Sequence, residues 1–275
     1  MTFLRGCKFS LEKTKRKLDM YFTMRTACPE FFANRDITRP ELQHIAQLGH
    51  LPPLPGLTPD GKRIVVMRGK DKDIDTPPLG DVAKVVLMIG DVRLAAEETG
   101  VAGDVYILDA SVASASHFSK VSPSLAKKFL VCVQVSLPAS LRSVVLKSSS
   151  IQWQEAYPVK LKEVHVVNVS PLVDTIVQFV KPFLKEKIRN RIYLHSSFDT
   201  LHEKIPKEIL PEEYGGTAGK LQEFHEAWMK KLEEYGPWFR AQEDLKADES
   251  KRPGKPTNYD DLFGIDGSFR QLSID

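Results

Sequence analysis

Several histidines, hydroxyls and carboxylates in this sequence could do chemistry, but none has the neighbours a reaction needs. Ser116-His117 sets a hydroxyl beside an imidazole, yet no G-x-S-x-G elbow presents that serine to a substrate carbonyl. His202-Glu203 and His225-Glu226 each begin the pair of a zinc helix, and Pro206 and Met229 stand where the second histidine belongs. Gly215 to Lys220 (GGTAGK) is one residue short of a phosphate loop before its last glycine, continues into Leu221 rather than Ser or Thr, and follows no strand. The span Gly100 to Gly103 is too short for a dinucleotide turn. Asp109 closes an apolar run, where a carboxylate serves to cap the next turn. Cys7, Cys28 and Cys132 are far apart with no C-x-x-C pair, and read as reduced thiols of a cytosolic protein, two of them buried. Catalysis, a metal and a cofactor are therefore not expected.

Instead, the sequence gathers positive charge beside apolar surface. Net charge is only +3 over 275 residues, so nucleic acid is not an expected partner. The cations nevertheless cluster, at Lys13–Lys17, Lys185–Arg191 and Lys251–Lys255. With 42% apolar residues the chain can build one large domain, or a large one and a small helical one. No apolar run approaches the roughly 18 residues of a membrane span, and the N-terminus has no secretory h-region.

The elements that position these groups centre on Tyr157–Arg191. Val164–Val169 (VHVVNV) has the β-branched composition of a buried strand. Ser170-Pro171 then caps a helix in which Leu172, Val173, Ile176, Val177, Phe179, Val180, Phe183 and Leu184 are apolar. Asp174, Gln178, Lys181 and Lys185 form its one narrow polar stripe. Such a helix could cover an apolar cavity or simply be a buried helix of an α/β domain, and periodicity does not choose between them.

Before it, Ser10 caps a helix to about Thr26 with Leu11, Leu18, Tyr21 and Phe22 on one face, and Ile37–Leu48 forms a short helix. Leu51–Pro59 reads as a Pro-rich connection, Lys62–Arg68 as a strand, Asp81–Glu98 as a helix and Gly103–Asp109 as a strand. Ser124–Val133 is expected to be helical, Ile192–His195 a short strand and Lys220–Tyr235 a helix. Beyond Gln242 the sequence is charged, rich in Pro and Gly and without period, as in a flexible tail. Strands alternating with helices predict an α/β fold with a mostly parallel sheet.

FLRGCKFSLEKTKRKLDMY, SPSLAKKF (Ser122–Phe129), EAYPVKLKEVHVVN (Glu155–Asn168), VKPFLKEKIRNRI (Val180–Ile192) and IPKEILPEEYGG (Ile205–Gly216) occur in the order found in the CRAL-TRIO lipid-transfer family. Over most of residues 1–240 the chain resembles that family, and within it the α-tocopherol transfer protein-like group of insects. The resemblance implies a CRAL-TRIO sandwich whose sheet floors an apolar cavity closed by a mobile helix at 171–187. It divides the chain into a truncated N-terminal helical region (1–50), a lipid-binding domain (51–240) and a tail (241–275). Positions matching the family's cavity are Ala83, Val86, Leu87, Gly90, Leu108, Phe129, Val133, Ile176, Phe179, Val180 and Phe183. Positions matching its phosphoinositide-binding cleft are Lys160, Lys187 and Arg191, while Cys7 replaces a fourth cation. The implied partners are a hydrophobic small molecule, tocopherol-, retinoid- or terpenoid-like or a phosphatidylinositol, and a phosphoinositide-containing membrane. The implied location is cytoplasmic and transiently at membranes, and a lipid-sensing adaptor is the alternative. Val135–Gln154 is extra to the family pattern and reads as an unspliced in-frame intron or a surface loop.

Overall fold

A computed structural model describes residues 2–70, 77–96, 101–114, 125, 128, 129, 160–180 and 186–259, without the side chains of Phe179, Val180, Lys187 and Ile188. The stretch 135–154, together with Val133 and Phe183, lies outside the described residues. Helices α1 (Thr2–Gly6), α2 (Leu11–Ala27), α3 (Pro29–Phe32) and α4 (Pro40–Leu48) come first. Strands β1 (Gly49–His50), β2 (Pro53–Leu57) and β3 (Lys62–Gly69) follow, then α5 (Leu79–Ala96) and β4 (Gly103–Asp109). The described chain resumes with β5 (Leu161–Val167), α6 (Pro171–Val180), α7 (Glu186–Arg189), β6 (Ile192–Leu194) and α8 (Phe198–His202). Two short 3₁₀ turns, α9 (Leu221–Glu234), α10 (Gly236–Gln242) and a last 3₁₀ turn complete it.

The six-stranded sheet runs β1-β3-β4-β5-β6, with β2 also on β3. The pairs β3–β4, β4–β5 and β5–β6 are parallel, and β1 and β2 join antiparallel. The mostly parallel α/β sheet is as the sequence predicts. The stretch Leu51–Pro59, expected as a connection, instead contains β2. Proline lacks a donor and is excluded from central strands, but β2 needs only one partner and its register with β3 is irregular.

Three apolar clusters hold these layers. Tyr21, Met24, Cys28, Phe31 and Phe32 of the N-terminal helices pack on Ala83 and Leu87 of α5. Ile37, Leu42, Ile45, Leu232 and Phe239 pack on Val85, Met88, Ile89 and Val92, another stripe of the same helix. The third cluster lies behind the sheet, where Ile64, Val66, Val105, Ile107 and Val167 meet Leu201, Ile205, Leu210, Tyr214 and Leu221. Helix α2 starts as expected, with Ser10 Oγ accepting from Lys13 N–H at 3.4 Å. Tyr21 is buried, but Leu11, placed by periodicity on the same inward face, is exposed at the first position of the helix. Cys7 and Cys28 are buried free thiols.

The stretch after Gln242 differs from a free tail in its described part. Ala247 N–H donates to Phe22 O at 3.1 Å and Thr26 Oγ1 donates to Ala247 O at 2.7 Å. Arg252 forks onto Asp19 at 2.8 and 3.0 Å and also holds Glu249. Its charges find fixed partners on α2, which composition alone does not reveal.

Candidate functional site

Because side chains alternate along a strand, the register sorts the sheet into two faces. On one, Ile64 and Val66 of β3, Val105 and Ile107 of β4, and His165 and Val167 of β5 are all at most 1% exposed. On the other, paired partners run Val65–Tyr106–Val164–Ile192 and Met67–Leu108–Val166–Leu194. Only Val65 and Val166 of these eight are buried; the other six are half-buried. Met67 packs against the α5 cluster, so this is the face that α5 covers. The steps β3–α5–β4 and β5–α6–β6 cross the sheet in the same direction, and right-handed crossovers place α6 over the same face.

Helix α6 begins where the sequence puts it, with Ser170 Oγ accepting from Val173 N–H at 3.3 Å. Val173 is buried, Ile176 and Val177 are half-buried, and Leu172 is 39% exposed. On its polar side Gln178 Nε2 donates to Asp174 Oδ1 at 3.3 Å.

The described cavity positions read from the sequence lie in different parts of the structure. Ala83 and Leu87 sit with Phe129 in the cluster against the N-terminal helices, where Phe129 meets Phe31 edge to face with ring centroids 6.3 Å apart. Val86 packs with the α4–α5 cluster, and Gly90 is half-buried on α5. Leu108 lies on the half-buried sheet face and Ile176 on α6. Phe179 and Val180 end α6, and their side chains, with all of Val133 and Phe183, are outside the described residues. Sequence reasoning missed Val65, Met67, Tyr106, Val164, Val166, Ile192 and Leu194, which share Leu108's face.

Of the three cationic positions, Lys160 and Arg191 come together at the start of β5. The Arg191 guanidinium donates to the carbonyl of Leu161, and its own carbonyl accepts from Val164 N–H at 2.8 Å. Lys160 O accepts from Asp104 N–H at 2.8 Å, and a Cβ on Gly103 would stand 2.5 Å from that oxygen. Gly103 has φ +150°, so this close approach and the backbone both require glycine. Lys187 lies on α7, its side chain not described.

The polar groups embedded in the sheet are held by one another. Asp109 takes Ser111 N–H at 3.0 Å, the turn-capping role read from the sequence, and also Asn168 Nδ2 at 2.9 Å and Tyr214 OH at 3.2 Å. Burial, then the Asp109 charge, pushes the Tyr214 hydroxyl well above the tyrosine range. On the sealed face, His165 Nε2 donates to Glu163 Oε2 at 3.1 Å and Nδ1 faces His195 Nε2 at 2.8 Å. A neutral His165 donating to Glu163 must accept from His195, whose Nδ1 lies 2.9 Å from Thr200 Oγ1. Burial lowers both imidazoles, His195 to about 4 with help from its neighbour, while Glu163 partly offsets the effect at His165. Among the described residues no group of three or more metal-binding side chains converges. No helix of the described residues is long and apolar enough to cross a membrane.

Residues 144–216 match the CRAL/TRIO domain family, and residues 1–42 match a second family, "Pinta-like, UBA domain". The chain is 32% identical over 222 residues to alpha-tocopherol transfer protein-like of Homo sapiens, a stretch that is 80% of this chain and 58% of that protein. The Mus musculus protein of the same name is 33% identical over 223 residues, with shares of 80% and 58%. Clavesin-2 of Rattus norvegicus is 28% identical over 217 residues, 78% of this chain and 60% of that one. The chain thus spans less than two thirds of the length of these relatives. A mostly parallel sheet with helices over one apolar face, the ordered motifs and the match at 144–216 together identify this as a protein that carries a CRAL/TRIO domain.

Proposed function

We propose that this protein binds a hydrophobic small molecule and transfers it between membranes, making and breaking no bond in it. The observation that carries this reading is the asymmetry of the sheet. One face is sealed by packed side chains, and the face under α5 and α6 leaves six largely apolar residues only half-buried. Exposed apolar area costs roughly 25 cal/mol per Å² in water, so a guest of matching character would recover that energy. The guest class is a tocopherol-, retinoid- or terpenoid-like lipid, which the names of two of the relatives above favour. Opening α6 would expose Val173, Ile176 and Val177, which is tolerable only against lipid.

Docking is assigned to the cations at the start of β5 and on α7. Lys160, Lys187 and Arg191 would meet phosphoinositide head groups, at about 1 kcal/mol per cation near an anionic surface. The described part of the C-terminal segment is engaged on α2, which counts against its being a free adaptor arm.

The test is extraction of the purified full chain with organic solvent, followed by mass spectrometry and by loading with a fluorescent tocopherol. A stoichiometric lipid in the extract, or saturable loading, is the expected result. An empty extract with no uptake would sink the carrier reading. Lys187→Ala with Arg191→Ala should slow delivery to phosphoinositide vesicles and leave loading in solution intact.

A further inference from the structure

Four large apolar side chains are conspicuously exposed among the described residues, and two of them are neighbours: Phe9 at 67% and Leu11 at 66%. Phe9 sits in the turn between α1 and α2, and Leu11 is the first residue of α2. The backbone there is arranged to present them, with both Lys8 (φ 54°) and Phe9 (φ 60°) in the left-handed region. That conformation is uncommon for any residue with a Cβ, and glycine usually fills it. The turn is closed by Lys8 N–H to Arg5 O at 3.1 Å and Phe9 N–H to Leu4 O at 2.8 Å, so the helix end is capped while the phenyl ring is turned to solvent.

Between residues 5 and 16, Arg5, Lys8, Lys13, Lys15 and Arg16 are exposed, against one exposed carboxylate, Glu12. Glu12 is shared, its side chain 3.5 Å from Lys15 Nζ and its carbonyl accepting from Arg16 Nε at 3.3 Å. A solvated basic face would account for the cations alone. It does not account for an aromatic and a leucine projecting from their midst, the composition of a surface that enters an interface rich in negative charge.

We infer that the α1–α2 turn is a second, independent membrane contact: Phe9 and Leu11 enter the head-group layer of an anionic bilayer, and the surrounding cations meet its phosphates. This contact needs neither a carried lipid nor the cations of β5 and α7, so it stands apart from the transfer reading.

The test uses the full chain and equimolar phosphatidylcholine–phosphatidylserine vesicles in a flotation assay, with pure phosphatidylcholine vesicles beside them. Phe9→Ser with Leu11→Ser should weaken flotation at least about tenfold, equivalent to about 1.4 kcal/mol. The melting temperature should hold, since neither side chain is packed. Lys13→Glu with Arg16→Glu should remove the preference for the anionic vesicles. Unchanged flotation of the Phe9/Leu11 variant would overturn the inference, whatever happens to lipid loading. So would loss of self-association by light scattering with flotation preserved, which would give the patch to a second copy of the chain. Loading of the fluorescent tocopherol, read on the same preparations, reports on the transfer proposal separately.

Discussion

The two faces of the sheet are built from the same strands and nearly the same residue types, yet they meet opposite fates. Behind β3, β4 and β5 the side chains are at most 1% exposed and interlock with Tyr214, Leu201 and Leu210. Under α5 and α6, six of the eight residues one step along each strand remain half-buried. Hydrophobicity alone does not decide how tightly a face is packed; what lies on top of it does. The sealed face is where folding energy is concentrated, and the other face is where this chain can spare surface for another molecule.

Truncation on both sides should sharpen that difference most. Ile107→Ala, on the sealed face, should cost about 2–5 kcal/mol, the range for deleting a buried aliphatic chain. Leu108→Ala, its immediate neighbour, should cost only about 1 kcal/mol while changing the capacity for a fluorescent lipid. Urea unfolding measures the first quantity and saturation loading the second. Equal costs at the two positions would erase the distinction between the faces.

Acid should act next, on the buried histidines of the sealed face and on His225 of α9. His195 and His225 are held at about 4, and His165 also below its usual value, burial being the first cause in each. Their unfolded counterparts titrate near 6.5, so between those values the unfolded chain binds more protons. Stability should therefore be whole above about pH 6.5 and decline as pH falls toward 4. A flat urea midpoint across that window would contradict the three buried, neutral histidines. The smallest stability effect belongs to Leu172→Ser on α6, within about 0.5 kcal/mol because the residue is exposed at the surface. Its expected signature is slower lipid delivery without a change in melting temperature.

Much of the scaffold was legible in the chain. The β-branched runs gave β3, β4 and β5, Ser10 and Ser170 gave two helix starts, and Asp109 gave its turn. The strand hidden in LPPLPGL was not legible, because proline argues against strands in general and only an edge position admits it. Nor could the sequence assign sides. VHVVNV puts Val164 and Val166 on one side and His165 and Val167 on the other, so with valine on both, alternation does not say which side faces the packed layer. Of the candidate cavity positions, Ala83 and Leu87 lie against the N-terminal helices, and the seven residues that share Leu108's face are brought there by pairing between strands far apart in sequence. Pairings such as His165 with His195, or Arg252 with Asp19, join residues 30 and 233 positions apart and leave no local trace.

The hydrogen bond from Ala247 to Phe22 carries a last consequence. Deuterium can reach that amide only when the bond to α2 opens, so its exchange rate records how often the two segments separate. A single amide late in the sequence thereby becomes a gauge of breathing in the helical layer at its start.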